Sequence, residues 1–186
     1  MTRKPATYAD LEALPRNQVG ELVNGELYAS PRPASRHSLA AVQLVTELNN
    51  PFGRGRGGPG GWHFLFEPEL HLGKDVLVPD IAGWRRERMP RVPDVVGIQM
   101  APDWVCEVLS PSTSRLDRFR KLPVYAREGV KHVWLVDPLQ YTLEVFRLEG
   151  GHYLLLGTYE DAQTVHAEPF EALALELRVL WEDIAE

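Results

Sequence analysis

Apolar and polar positions along the chain alternate in two different periods, and the switch between them marks the elements. In "WHFLFEPELHLG" and "DVLVPDIAGW" apolar residues recur at about every second position, the period of a half-buried strand, and "PDWVCEVLS" supplies a third strand. "SRHSLAAVQLVTELNN" instead spaces Leu39, Val42, Leu44, Val45 and Leu48 as a helical stripe that ends at Asn49 and Asn50. "YADLEALP" predicts a short helix, with Thr7 as N-cap and Pro15 just past its end. The Asn-Gly pair in "GELVNGELYAS" predicts a hairpin.

Beyond the third strand, "SPSTSRLDRFRKLPVYAREGV" predicts a helix entered through its Ser and Thr residues, which Pro123 must kink or restart. "HVWLVDP" follows as another apolar strand bounded by Pro138. Strand, helix and strand make a crossover unit, so 104–110 and 132–137 are expected to be parallel neighbours. "YTLEVFRLEGGHYLLLGTY" predicts a hairpin around Gly150 and Gly151, and "FEALALELRVLWEDI" alternates Leu173, Leu175 and Leu177 before a short amphipathic end. The expected fold class is α/β (α+β), a mixed central β-sheet flanked by helices.

Composition narrows the class. At 186 residues, with 44% hydrophobic and 25% charged positions, the chain fits one globular domain over 1–186. The lone Cys106 lies inside an apolar run and can form neither an internal disulfide nor a thiolate cluster. With no apolar run of membrane-spanning length and no signal-like start, a reducing, cytoplasmic setting is expected. A net charge of −6 argues against general polyanion binding, so a nucleic-acid site must be local. Two arginine groups stand out: Arg54 and Arg56 in "GRGRGGPGG", and Arg85, Arg86, Arg88 and Arg91 in "WRRERMPR". The run from Gly53 to Gly61 lacks the Lys-Ser/Thr ending of a phosphate-cradling loop and is expected to be a mobile surface loop.

One residue does not belong in its surroundings. Glu107 interrupts "WVCEVLSPS", where every neighbour suits a strand buried on both faces. An ionised carboxylate there costs several kcal/mol unless something pairs with it. Asp80, after Pro79 in "VLVPDIAG", falls in or at the end of the preceding strand, so paired strands would bring the two carboxylates to one ion. Oxygen ligands of this kind, completed by a backbone carbonyl and waters, suit Mg²⁺ or Mn²⁺. A structural alternative uses the same residues: Glu107 pairs with Lys or Arg from the following helix, and Asp80 caps a turn. Asp117, Lys121 and Tyr125 stand at steps of four on one helical face, so Lys121 either points back to the strand ends or forms a solvated pair with Asp117. The remaining histidines, His63, His71, His132, His152 and His166, have no ligand-like spacing, and no Gly-x-Ser-x-Gly turn surrounds Ser110, Ser112 or Ser114.

The ordered set "GELVNGELY", "RHSLA", "LVPDIAGW", "CEVLSPSTSRLDRFRKLPVYAREGVKHVWLVDP" and "YTLEVFRLEGGHY" resembles the Uma-type family of restriction-endonuclease-like proteins, within the PD-(D/E)XK nuclease superfamily. The resemblance covers nearly the whole chain and implies a metal-dependent endonuclease that hydrolyses phosphodiester bonds in DNA. By it, Asp80 and Glu107 are metal ligands together with the carbonyl of Val108, the cofactor is Mg²⁺ or Mn²⁺, and Glu21 completes the site. Leu109 occupies the superfamily's usual lysine position, and the resemblance implies that Lys121 on the helix is its substitute. His37 opens the long helix and matches a histidine often found there in the family, which implies contact with substrate or orientation of Glu21; the plainer reading, a helix N-terminal residue without such a role, is the one favoured. DNA is the expected partner, with a homodimer suited to cutting both strands. The competing expectation is a nuclease-like module that binds nucleic acid or protein without cutting.

Overall fold

The computed structural model describes residues 4–185. Helix α1 (Tyr8–Glu12) leads into strands β1 (Gln18–Val23) and β2 (Glu26–Pro31). Their connecting turn places Asn24 and Gly25 at φ 52° and 81°, the left-handed pair that an Asn-Gly hairpin turn requires. Helix α2 (Ser35–Leu48) runs into a π turn, Asn49–Gly53. Five strands follow: β3 (Trp62–Phe66), β4 (Glu69–Leu72), β5 (Asp75–Leu77), β6 (Ile81–Arg85) and β7 (Gly97–Ile98). Strand β8 (Trp104–Val108) is followed by a helical stretch made of α3 (Ser114–Leu116), a π turn (Asp117–Lys121) and α4 (Leu122–Arg127). The chain ends with β9 (His132–Asp137), β10 (Thr142–Glu149), β11 (His152–Glu160), β12 (Thr164–Val165), β13 (Leu175–Glu176) and a 3₁₀ turn, Leu177–Leu180. Among the described residues no helix is long and apolar enough to cross a membrane.

Six strands form the central mixed sheet in the order β11-β10-β9-β8-β6-β3, in which only β8 and β9 are parallel. A second sheet of five strands has the order β2-β1-β5-β4-β7, and β12 pairs with β13. The residues of β8 and β9 sort onto two faces as a period of two demands. Trp104, Cys106, Val108, Trp134 and Val136 pack with Ala40, Ala41, Leu44 and Leu48 of α2. Val105, Leu109, Val133 and Leu135 pack with Val124 and Tyr125 of α4 and with Leu70, Leu72 and Leu77 of the second sheet. Glu107 therefore points into the second layer, between Val105 and Leu109.

Three predicted elements take a different form. "DVLVPDIAGW" divides between the two sheets: β5 pairs with β1 and β4, β6 pairs with β3 and β8, and residues 78–80 cross between them. "WHFLFEPELHLG" breaks at Glu67, whose φ of 46° ends β3 before Pro68. Pro123 restarts the helix, as expected, directly after the π turn, at the first turn of α4 where its missing N–H is tolerated. The Gly53–Gly61 run is not a free loop, because Arg54 N, Arg56 N and Gly60 N donate to the carbonyls of Asn49, Asn50 and Pro51 at 2.8–2.9 Å.

Candidate active site

The crossing between sheets creates the site. Ile81 lies opposite Cys106 in the antiparallel β6–β8 register, so Asp80, one residue earlier, lies opposite Glu107 and on the same sheet face. Beyond Ile81 the ladder ends, and the free amide of Val108 donates to Asp80 Oδ2 at 2.7 Å. The next amide, Leu109 N, turns the other way and donates to Val136 O at 2.7 Å. Alternation along a strand thus places the carbonyl of Val108 on the Asp80 side. Val78, in the crossing, has its N–H taken by Glu21 Oε1 at 2.8 Å and its carbonyl by Lys121 Nζ at 3.3 Å. Backbone groups that left both ladders are satisfied by the site's own side chains.

Lys121 is the hub. Its Nζ stands 2.9 Å from Glu21 Oε1, 2.9 Å from Glu107 Oε1 and 3.4 Å from Asp117 Oδ1. Tyr125 adds a hydroxyl donated to Glu107 Oε1 at 2.6 Å. Glu107 and Lys121 are each 2% exposed, so this is a buried network and not the solvated Asp117–Lys121 pair of the alternative expectation. His37 Nε2 lies 3.1 Å from Asp80 Oδ1, so it holds Asp80 and not Glu21, while its buried Nδ1 has no partner among the described residues. Arg118 turns away to pair with Glu144. Leu109, at the usual lysine position, is packed in the apolar layer.

Charge is unevenly balanced here. Among the described residues, Glu21, Asp80, Glu107 and Asp117 surround a single ammonium, Lys121, and one histidine, His37. Burial pushes the Glu107 carboxyl well above the usual range, with Lys121 opposing and the neighbouring carboxylates adding to the rise. Asp117 is pushed up to about 6, again by burial first, against the pull of Lys121. Burial alone would lower Lys121 and His37, but the surrounding carboxylates win and raise both: Glu107 and Glu21 lead for Lys121, and Asp80 for His37.

These groups open onto a cavity of about 300 Å³ lined by Glu21, His37, Glu67, Asp80, Glu107 and Lys121, with Ser110–Thr113 on its rim. All four side chains singled out from the sequence, Glu21, Asp80, Glu107 and Lys121, are therefore brought together. Tyr125 as a partner of Glu107 was not read from the sequence, although its place four residues after Lys121 carried the signal. Glu67 also escaped notice, since Pro68 marks a break there but not the direction in which the side chain before it points. Among the described residues no group of three or more His, Cys, Asp or Glu is arranged as a ready-made metal cage. The donors at Asp80 and Glu107 are nevertheless hard oxygens in surplus negative charge, a set that suits a cation held by two carboxylates and water.

A crystal structure of a "putative nuclease belonging to DUF820" from Anabaena variabilis superposes with a TM-score of 0.76 at 23% identity, covering 96% of this chain and 98% of that one, and so shares its fold. No curated protein matches the chain. A family model named Uma2, described as "Putative restriction endonuclease", matches residues 5–179, and the chain belongs to that family.

Proposed function

We propose that the protein is a Mg²⁺- or Mn²⁺-dependent endonuclease acting on DNA, with Asp80 and Glu107 as its metal-holding carboxylates. One observation carries this reading: two carboxylates face each other across the end of a strand pair, in a cavity where negative charge exceeds positive. A divalent cation would relieve that excess. The nuclease-like family and fold support the reaction class.

Asp80, Glu107 and the carbonyl of Val108 would hold the ion, and Glu21 would complete the site through water. When bound, the ion would polarise the scissile phosphate and acidify a water. The protein's own part is to fix geometry. Val108 N–H and His37 orient Asp80, while Lys121 and Tyr125 hold Glu107. The Lys121 charge, fixed beneath the carboxylates, offsets negative charge that develops at the phosphate. The apolar layer around Val105 and Leu109 keeps the local dielectric low and strengthens each of these effects.

A second reading, a module that binds without cutting, draws on the state of Lys121: every N–H of its ammonium already has an acceptor. Calorimetric titration of Mg²⁺ and Mn²⁺ into the wild type and Glu107→Gln, followed by plasmid nicking with the same ions, separates the two. Binding that vanishes in the variant, with nicking by the wild type, supports the nuclease. Absence of both would mean that Lys121 alone balances Glu107.

A further inference from the structure

The two arginine groups noted in the sequence meet in space. Arg54, Arg56 and Arg86 line an open cleft of about 640 Å³ together with Trp62, His63 and the glycines of the 53–61 run. Its floor is built and held. Arg86 donates from Nε to Trp62 O at 3.2 Å and from Nη2 to Gly53 O at 3.0 Å, and Arg85 lies 4.7 Å over the Trp62 ring. A Cβ on Gly58 would stand 2.4 Å from Pro51 Cβ, so the bare backbone is what lets the loop close down here. Arg54 and Arg56 themselves are exposed, and neither forms an ion pair among the described residues. Two unpaired guanidiniums on a pinned loop form a local positive feature on a chain of net charge −6.

The cleft is joined to the catalytic cavity by one strand. β3 is the outer edge of the central sheet. Its first residue, Trp62, lines the cleft, and Glu67, just past its last, lines the cavity and donates its amide to Asp80 O at 3.0 Å. Along that edge stands Phe66, an aromatic ring 46% exposed. Asp80 and Arg86 mark the two ends of the adjacent β6, about 20 Å apart at strand rise, or about six nucleotides at 3.4 Å each. Guanidiniums that meet phosphates and an exposed ring that meets a base are the chemistry of a nucleic-acid track.

We infer that Arg54 and Arg56 form a phosphate-binding cleft for a nucleic-acid strand that leaves the catalytic cavity along β3. The inference rests on the nuclease reading for its ligand class, but its test does not require cleavage. A fluorescent 20-base-pair duplex and a 20-nucleotide single strand are titrated with Mg²⁺ present into Asp80→Asn, and into the same variant carrying Arg54→Ala and Arg56→Ala. Thermal melting first shows that the arginine changes leave the fold intact, as expected for exposed side chains. Affinity should fall at least tenfold, and the slope of log affinity against log salt should flatten by about 2, at 0.9 per lost phosphate contact. Arg54→Lys with Arg56→Lys should recover most of the loss.

Equal affinity and equal slope in the arginine variant would overturn the inference, as would failure of the Asp80→Asn protein to bind either probe. Plasmid nicking by the wild type is scored separately. Nicking without an arginine effect sinks the cleft alone. An arginine effect without nicking keeps the cleft and sinks the catalytic reading.

Discussion

The roles proposed for Asp80 and Glu107 rest on single atoms, and each can be tested by an almost isosteric change. Asp80→Asn keeps an oxygen for the Val108 amide but removes the negative charge that a cation needs. Nicking in Mg²⁺ should be lost, while in EDTA the melting temperature should stay near that of the metal-free wild type; undiminished nicking would remove Asp80 from the mechanism. His37 acts through Asp80, so His37→Ala should weaken Mg²⁺ affinity by about 10- to 100-fold, read by calorimetry without reference to turnover. Lys121→Met should behave otherwise. It strips the ammonium that, among the described residues, alone stands beside Glu21, Glu107 and Asp117, and should cost about 3 to 5 kcal/mol in urea denaturation. At this scale the sequence was legible where a residue clashed with its surroundings: Glu107 stood out because every neighbour was apolar. The burial of Lys121 and the attachment of His37 to Asp80 were not, because neither spacing nor composition reports which acceptor a long side chain reaches in three dimensions.

The helix of residues 114–127 presents Asp117, Lys121 and Tyr125 to the site as one unit, and the π turn at 117–121 sets their stagger against β8. Asp117 gives this element a pH signature in metal-free protein. Its folded value of about 6 lies above the ordinary 3.8, so the folded state holds the proton more tightly than the unfolded one. Its contribution to stability is therefore full below about pH 4 and is lost as pH rises through about 6, a change on the order of 2 to 3 kcal/mol. In EDTA, the stability difference between Asp117→Asn and the wild type should shift in favour of the variant as pH rises from 4 to 7, as read by urea denaturation; a difference independent of pH would refute it. Helix and strand types were largely readable because their periods differ. What escaped was the division of "DVLVPDIAGW" between two sheets. An unbroken apolar pattern carries no mark of which neighbour it pairs with, and Pro79 signalled only that a ladder bond was missing.

At the scale of the whole molecule, the site is the seam between two sheets. Glu21 comes from β1 of the smaller sheet, Glu107 from β8 of the larger, Asp80 from the crossing, and Lys121 from the covering helix. That convergence was expected from the resemblance of the chain's motifs to a nuclease family, whereas local patterning alone left a structural ion pair equally open. The arrangement has a thermodynamic consequence. A cation that binds only where these elements meet binds the folded state and not the unfolded chain, so it must stabilise the whole fold. At a free concentration one hundred times its Kd the gain is about 2.7 kcal/mol, or roughly 5 to 10 °C in Tm for a chain of this length. Mg²⁺ or Mn²⁺ should raise the wild-type Tm by that amount over a sodium chloride control of equal ionic strength, and the rise should shrink to near zero in Asp80→Asn and in Glu107→Gln. Should all three proteins respond alike, the ion is binding elsewhere, and the seam is held together by Lys121 without help.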